Sequence, residues 1–120
     1  MTRIKPSRDP GAGIFRVSFE ILFNSPQELI DLLSELEKRI RSKWGGSPHL
    51  SSSSLLWGSG SEMVRIAFSE QIERGGLSIT PGLLRASGVI ECVSSDRCVE
   101  IYEEIYETTR LKNLRIRLTI

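Results

Sequence analysis

The sequence has few of the residues that bind metal ions or act as nucleophiles. It contains one histidine, His49, and two cysteines, Cys92 and Cys98, with no second pair to complete a zinc site. We therefore expect no metal and no other cofactor. The cysteine usage is typical of the cytosol, with both thiols reduced and buried. A disulfide between them is the alternative for a hyperthermophile or an oxidising compartment.

Long apolar runs are also missing. No stretch approaches the ~20 residues of a membrane-spanning helix, and the N-terminus lacks the apolar core of a signal peptide. The sequence thus predicts a cytoplasmic protein that makes no membrane contact. Its 16 lysines and arginines against 15 aspartates and glutamates give a net charge of +1. Such a balance excludes a histone-like nucleic-acid binder, although it is compatible with local basic patches.

Recognisable catalytic motifs do not occur. His49 lies in residues 45–61, a Ser/Gly/Pro-rich segment with no acidic residue that could orient its ring. No G-x-S-x-G is present, and the start of a dinucleotide-binding loop at Gly58-Ser59-Gly60 has Met63 in place of the third glycine. We therefore expect no catalytic residues and a protein that is not an enzyme.

The chain is predicted to form a flexible basic arm over residues 1–13 and a single α+β domain over residues 14–120. Alternating apolar residues predict strands near 15–23, 63–68, 84–93 and 114–120, with shorter extended pieces at 55–57 and 77–80. Helical spacing predicts two helices, one near 26–44 and one that is capped by Ser94, Ser95 or Asp96 and ends at Lys112-Asn113. This order favours a ferredoxin-like split βαβ sandwich, with an antiparallel sheet of four or five strands and both helices on one face.

Two elements carry sharper expectations. Ser25, Pro26 and Glu28 form a capping box with proline at the first helical position, so the first helix should begin there and end at Gly45-Gly46. The last strand should bury one face against the core, namely Leu114, Ile116, Leu118 and Ile120.

The candidate site lies on the predicted sheet. Alternation sends one set of side chains away from the helices, and this set includes Arg16, Arg65, Arg115 and Arg117. The basic arm adds Arg3, Lys5 and Arg8. Neighbouring arginines require counter-charge, which either comes from glutamates of the sheet (Glu20, Glu70 and Glu91) or from a phosphate backbone or acidic partner.

A second charged pattern lies on the second helix, where Glu100, Glu103, Glu104 and Glu107 share one face. Because apolar residues occupy the opposite face, we expect this acidic face to be solvated. Coordination of a hard cation is the alternative.

These patterns predict a non-enzymatic binding or assembly subunit, which uses the arginine-bearing face and the arm within an RNA- or DNA-processing complex. Its expected partners are another protein, a second copy of the chain and a nucleic-acid backbone. Self-association is expected because sheet edges, Trp44 and Trp57 would otherwise be exposed. The alternative is a small-molecule sensor or an enzyme, with a pocket between residues 45–61 and the sheet.

Overall fold

The computed structural model describes residues 6–9, 13–51, 53–71 and 84–119, with residues 8, 9 and 69–71 given as backbone alone. Two helices and seven strands occur in this part of the chain. They are β1 (Ser7–Asp9), β2 (Ile14–Phe23), α1 (Pro26–Trp44), β3 (His49–Leu50), β4 (Ser54–Gly58), β5 (Glu62–Gln71), β6 (Leu84–Cys92), α2 (Ser95–Leu111) and β7 (Arg115–Thr119).

The strands form one open antiparallel sheet in the order β1-β2-β6-β5-β4-β3. Strand β7 pairs with residues 18–22 of β2, and β1 pairs with residues 14–16 of the same strand. Strand β6 occupies the other edge of β2. Strands β1 and β7 therefore share one position in the sheet, which is six strands wide. The α+β class, the two helices and the antiparallel sheet are confirmed.

The sheet is wider than the four or five strands that the sequence predicts. Strand β3 accounts for the difference, because its two residues are too few to show apolar alternation. Strand β1, with three residues, is also not predicted from the sequence, but it shares the position of β7 and adds no width. Strand β1 lies within the stretch predicted to be a flexible arm, where the Ser7 hydroxyl donates to the carbonyl of Arg16 at 3.1 Å. The predicted extended piece at 77–80 lies outside the described residues.

The core lies between the helices and one face of the sheet. On β2 the alternate residues Val17, Phe19, Ile21 and Phe23 are all buried there. Helix α1 adds the apolar stripe Leu29, Leu32, Leu33, Leu36 and Ile40. Burial of apolar surface holds these layers together, since each Å² removed from water stabilises the fold by about 25 cal/mol.

Helix α1 begins and ends where the sequence predicts. The Glu28 carboxylate accepts hydrogen bonds from the backbone N–H groups of Asn24, at 2.6 Å, and Ser25, at 3.4 Å. The helix ends at Gly45, whose φ of 78° favours glycine. Both ends are therefore set by local sequence.

Trp57, predicted from the sequence to be exposed in a single copy of the chain, is not exposed. It is buried on β4, and its indole N–H donates to the carbonyl of Gly45 at 3.0 Å. Trp44 packs against it, with ring centroids 6.2 Å apart. The glycine pair after α1 brings the backbone close to the indole, so the two tryptophans contact each other and offer little surface for self-association.

The C-terminal strand is less buried than predicted. Leu114 is buried and Ile116 packs against the core, but Leu118 is 47% exposed. Ile120 lies outside the described residues. Strand β7 is at the edge of the sheet, so the helices cover its beginning more fully than its end.

Glu104 on α2 is buried, which corrects the expectation that all four glutamates of this helix face solvent. Its carboxylate lies 2.8 Å from Lys43 Nζ and 3.2 Å from Arg39 Nη1 on α1. Burial alone would raise the pKa of Glu104, but hydrogen bonds from Lys43 and Arg39 outweigh burial and lower it. The basic end of α1 therefore ties the two helices together. No group of three or more metal-binding side chains occurs in the described residues.

The remaining sequence expectations concern the membrane and the cysteines. None of the helices in the described ranges is long and apolar enough to span a membrane. Cys92 and Cys98 are buried free thiols, and the Cys98 thiol donates to the carbonyl of Phe15 at 3.5 Å.

Candidate binding surface on the uncovered sheet face

The face of the sheet opposite the helices is called the open face here, since no described element covers it. Its charged residues come from four strands because the alternation of each strand sends every second side chain outward. The described ones are Arg16 and Glu20 of β2, Arg65 of β5, Arg85 and Glu91 of β6, and Arg115 and Arg117 of β7. All four sheet arginines named from the sequence are on this face.

The four predicted arginines do not form a continuous row. Across the strand pairs, Arg16 faces Glu91, Arg65 faces Val89 and Leu56, Arg117 faces Glu20, and Arg115 faces Leu22. No arginine of this set faces another directly, so the like-charge repulsion of adjacent guanidinium groups is avoided.

Arg16 and Glu91 form an ion pair across β2 and β6. The Nε and Nη2 atoms of the guanidinium lie 2.7 Å and 2.6 Å from the same carboxylate oxygen, Glu91 Oε2. The Arg16 side chain is 41% exposed, so this pair is solvated and contributes about 0.2–1 kcal/mol to stability. The positive charge of Arg16 is therefore balanced by Glu91 within the sheet.

Glu20 is the buried charged group of the open face, with 7% of its surface exposed. Arg117 donates its Nε–H to this carboxylate from β7, and Arg85 Nη1 on β6 lies 3.5 Å from its other oxygen. Two guanidinium groups thus flank one carboxylate from both neighbouring strands. Glu20 is one of the counter-charges predicted from the sequence, whereas Arg85 is not among the predicted residues.

The signal for Arg85 is present in the sequence but weak. Arg85, Ser87, Val89 and Glu91 alternate with the inward residues of β6, two of which are Ala86 and Gly88. Small residues carry little hydrophobic signal, so the two faces of this strand are hard to assign from its pattern.

Arg65 and Arg115 are the exposed arginines with no hydrogen bond or ion pair to another described side chain. Leu56 beside Arg65 is 47% exposed, so an apolar surface adjoins this charge. Over the described side chains of the open face, five arginines and two glutamates leave three net positive charges. The surface is therefore suited to an anionic partner.

The arm residues named from the sequence contribute nothing to the described surface. Arg3 and Lys5 lie outside the described residues, and Arg8 is described only by its backbone, which pairs with Phe15.

The Ser/Gly-rich segment is built into the sheet. Residues 49–50 and 54–58 form the β3–β4 hairpin, whose outer strand pairs His49 with Leu56 and Leu50 with Leu55. The hydroxyl of Ser51 accepts from the backbone N–H of Ser54 at 3.1 Å at the turn. The alternative function places a pocket between this segment and the sheet, whereas its described residues extend the sheet itself.

Comparisons with known proteins add little. No family model matches the chain, and no curated protein is significantly similar to it. Among solved structures, the chain is similar to one described as "De novo designed protein Foldit4", with 14% sequence identity and a TM-score of 0.43. The match covers 89% of this chain and 96% of that chain. The case for a function therefore rests on the open face.

Proposed function

We propose that this protein is a non-enzymatic binding subunit whose open face contacts the phosphate backbone of a nucleic acid. The observation that carries the proposal is that the described side chains of this uncovered antiparallel sheet face include three more arginines than glutamates, and that Arg65 and Arg115 pair with none of these side chains. Guanidinium groups suit this role because they donate two parallel hydrogen bonds to a phosphate.

Contacts of this kind position a backbone and do not read its sequence. Base-stacking recognition would require aromatic side chains on the open face, whereas Phe19 and Phe23 of β2 are buried on the opposite side. We therefore expect binding that depends on charge, with weak preference among sequences.

Fluorescence anisotropy tests the proposal directly. A labelled 20-nucleotide single-stranded RNA and a DNA duplex are titrated with the protein at 50 mM and 200 mM salt. Binding at 50 mM that weakens steeply at 200 mM is expected, since each phosphate contact releases counterions. Absence of binding to both probes at 50 mM would refute the proposal. Removal of residues 1–5 from the arm measures the part that Arg3 and Lys5 add.

As an assembly subunit, the protein is also proposed to associate with itself or with another protein. What supports this is that no described strand occupies the outer edge of β3, and that Leu50 and Leu56 of the β3–β4 hairpin are 38% and 47% exposed. Light scattering across the micromolar range tests self-association. A mass of 13.5 kDa at every concentration would exclude it.

At the level of fold, we propose that β2, β5, β6 and β7 with the two helices form a ferredoxin-like split βαβ core, to which β3 and β4 are added. The order β7-β2-β6-β5 supports this, because the first long strand lies between the last strand and the strand that precedes α2. An experimental structure with a different order of these four strands would contradict it.

A further inference from the structure

Strand β7 has an outer edge that no described strand occupies. Residues 115–119 pair with β2 on one side in a continuous register, from Arg115 opposite Leu22 to Thr119 opposite Ser18. The strand contains no proline, and no bulge interrupts its register. An edge of this kind presents backbone N–H and C=O groups to another extended chain.

A groove of about 380 Å³ adjoins the beginning of this edge. The apolar part of its lining includes Leu114, Ile116 and Tyr106. The cationic part consists of Arg110, Arg115 and Arg117. No carboxylate is among its lining residues. Arg110 is held in place, since its Nη1 donates to the Tyr106 hydroxyl at 2.9 Å.

The charges on this edge disfavour a second copy of the chain as the occupant. The antiparallel register that uses all five residues of β7 would place Arg117 directly opposite Arg117 of the other copy, with each Arg115 opposite Thr119. Like charges in direct cross-strand positions are destabilising. The same arginines favour a strand that carries carboxylates at the facing positions.

The apolar side of the edge sets the rest of the pattern. Leu118 is 47% exposed and Ile116 is partly buried, and both point to the helix side of the sheet. A strand paired to β7 would place every second side chain beside them and the others beside Arg115 and Arg117. Its sequence would therefore alternate apolar and acidic residues.

We propose that the outer edge of β7 binds an extended acidic segment of a partner protein as an additional β-strand. Carboxylates of that segment lie beside Arg115 and Arg117, and an apolar side chain enters the groove at Ile116 and Tyr106. This mode takes its affinity from backbone hydrogen bonds and its specificity from alternate side chains. The site is distinct from the nucleic-acid surface around Arg65, with Arg115 at the border of both.

The probe is a labelled nine-residue peptide of alternating glutamate and valine. Its controls are a peptide of the same composition with the glutamates in one block, and an alternating lysine–valine peptide. We expect only the alternating acidic peptide to bind by anisotropy and to slow amide hydrogen exchange at residues 115–119. Equal binding of the block peptide, or binding without added protection of these amides, would overturn the proposal, as would absence of binding at 1 mM peptide.

Three single variants locate the site. Arg115→Glu should weaken peptide binding at least tenfold and is compatible with folding, because Arg115 is exposed and forms no ion pair with another described residue. Lys38→Glu, an exposed charge reversal on α1, should leave the peptide affinity unchanged. Arg65→Glu should weaken nucleic-acid binding and leave peptide binding unchanged. The two proposals can therefore be refuted independently of each other.

A control without peptide separates self-pairing from partner binding. If amides 115–119 become protected as protein concentration rises, and light scattering reports a dimer in parallel, then a second copy occupies the edge and the proposal is wrong. Circular dichroism of each variant confirms that the comparison is made between folded proteins.

Discussion

Arg117 faces Glu20 directly across the β2–β7 pair, and Arg85 of β6 reaches the same buried carboxylate from the other side. This arrangement links three adjacent strands on the open face. It also limits the charge that the face can offer, because the carboxylate offsets part of the charge of two guanidinium groups. Stability and binding are therefore opposed at Glu20.

Glu20→Gln separates the two effects. Loss of the charged hydrogen bonds should lower the free energy of unfolding by about 1.5–3 kcal/mol, measured by urea denaturation. The same substitution adds one net positive charge to the open face, so nucleic-acid affinity at 50 mM salt should rise. Glu91→Gln is the matched control, since it adds the same charge but breaks an exposed pair that contributes about 0.2–1 kcal/mol. Equal destabilisation by both variants would contradict the role given to Glu20.

Position 88 requires glycine because the ring of Phe19, its direct cross-strand partner on β2, lies against it. A Cβ atom at position 88 would collide with three ring atoms, of which the farthest is only 2.8 Å away. Gly88→Ala should cost about 1–3 kcal/mol or more, because Phe19 is fully buried and packs edge-on against Tyr102. In Gly58→Ala the new atom lies 3.7 Å from the Glu62 carbonyl, an ordinary contact. This control should lose far less stability.

Glu104 makes stability sensitive to acid. Its pKa is lower in the folded protein than its ordinary value of 4.5, because Lys43 and Arg39 hold the carboxylate ionised despite its burial. A lowered folded pKa stabilises the protein above the unfolded pKa, and this stabilisation is lost as the pH falls through the folded value. In Glu104→Gln, the deficit in unfolding free energy should be full at pH 7 and should shrink below pH 4.5. A deficit that does not change with pH would show that packing, not charge, is responsible.

The two cysteines should be chemically inert in the native protein. Both side chains are almost fully buried, so a reagent in solution cannot reach either sulfur atom. Hydrogen bonding between the two thiols and burial raise the pKa of Cys92, whereas the same hydrogen bonding lowers the pKa of Cys98, so inaccessibility is what protects Cys98. We expect no incorporation of iodoacetamide at pH 8 in the native protein and two labels per chain in 6 M guanidinium, measured by intact mass. Labelling at full rate without denaturant would mean that β6 and α2 separate readily at this point.

The predictability of the fold follows the strength of the local patterns. Strand β2 and helix α1 have strict periodicity and a capping box, so local sequence defines them. Strands β1 and β3 have three and two residues and exist because longer neighbours present an edge to them. No local pattern encodes such pairing.

The candidate site was predictable to a similar degree. Alternation places Arg16 and Arg117 outward, but the sequence does not contain the register that sets each one opposite a glutamate. Burial of Glu104 depends on the crossing of two helices, and exposure of Leu118 depends on where helix cover ends. These properties arise from tertiary packing, which the pattern of one element does not report.

The most direct test of the account is the salt dependence of nucleic-acid binding by the double variant Arg65→Glu, Arg115→Glu. Lys38→Glu combined with Lys112→Glu is the control of equal charge change away from the open face. If each arginine contacts one phosphate, the slope of log K against log salt for single-stranded RNA should fall in magnitude by about 1.4 in the double variant. The control should keep the slope of the unmodified protein. An unchanged slope in the double variant, or the same loss in the control, would show that the open face is not the binding surface.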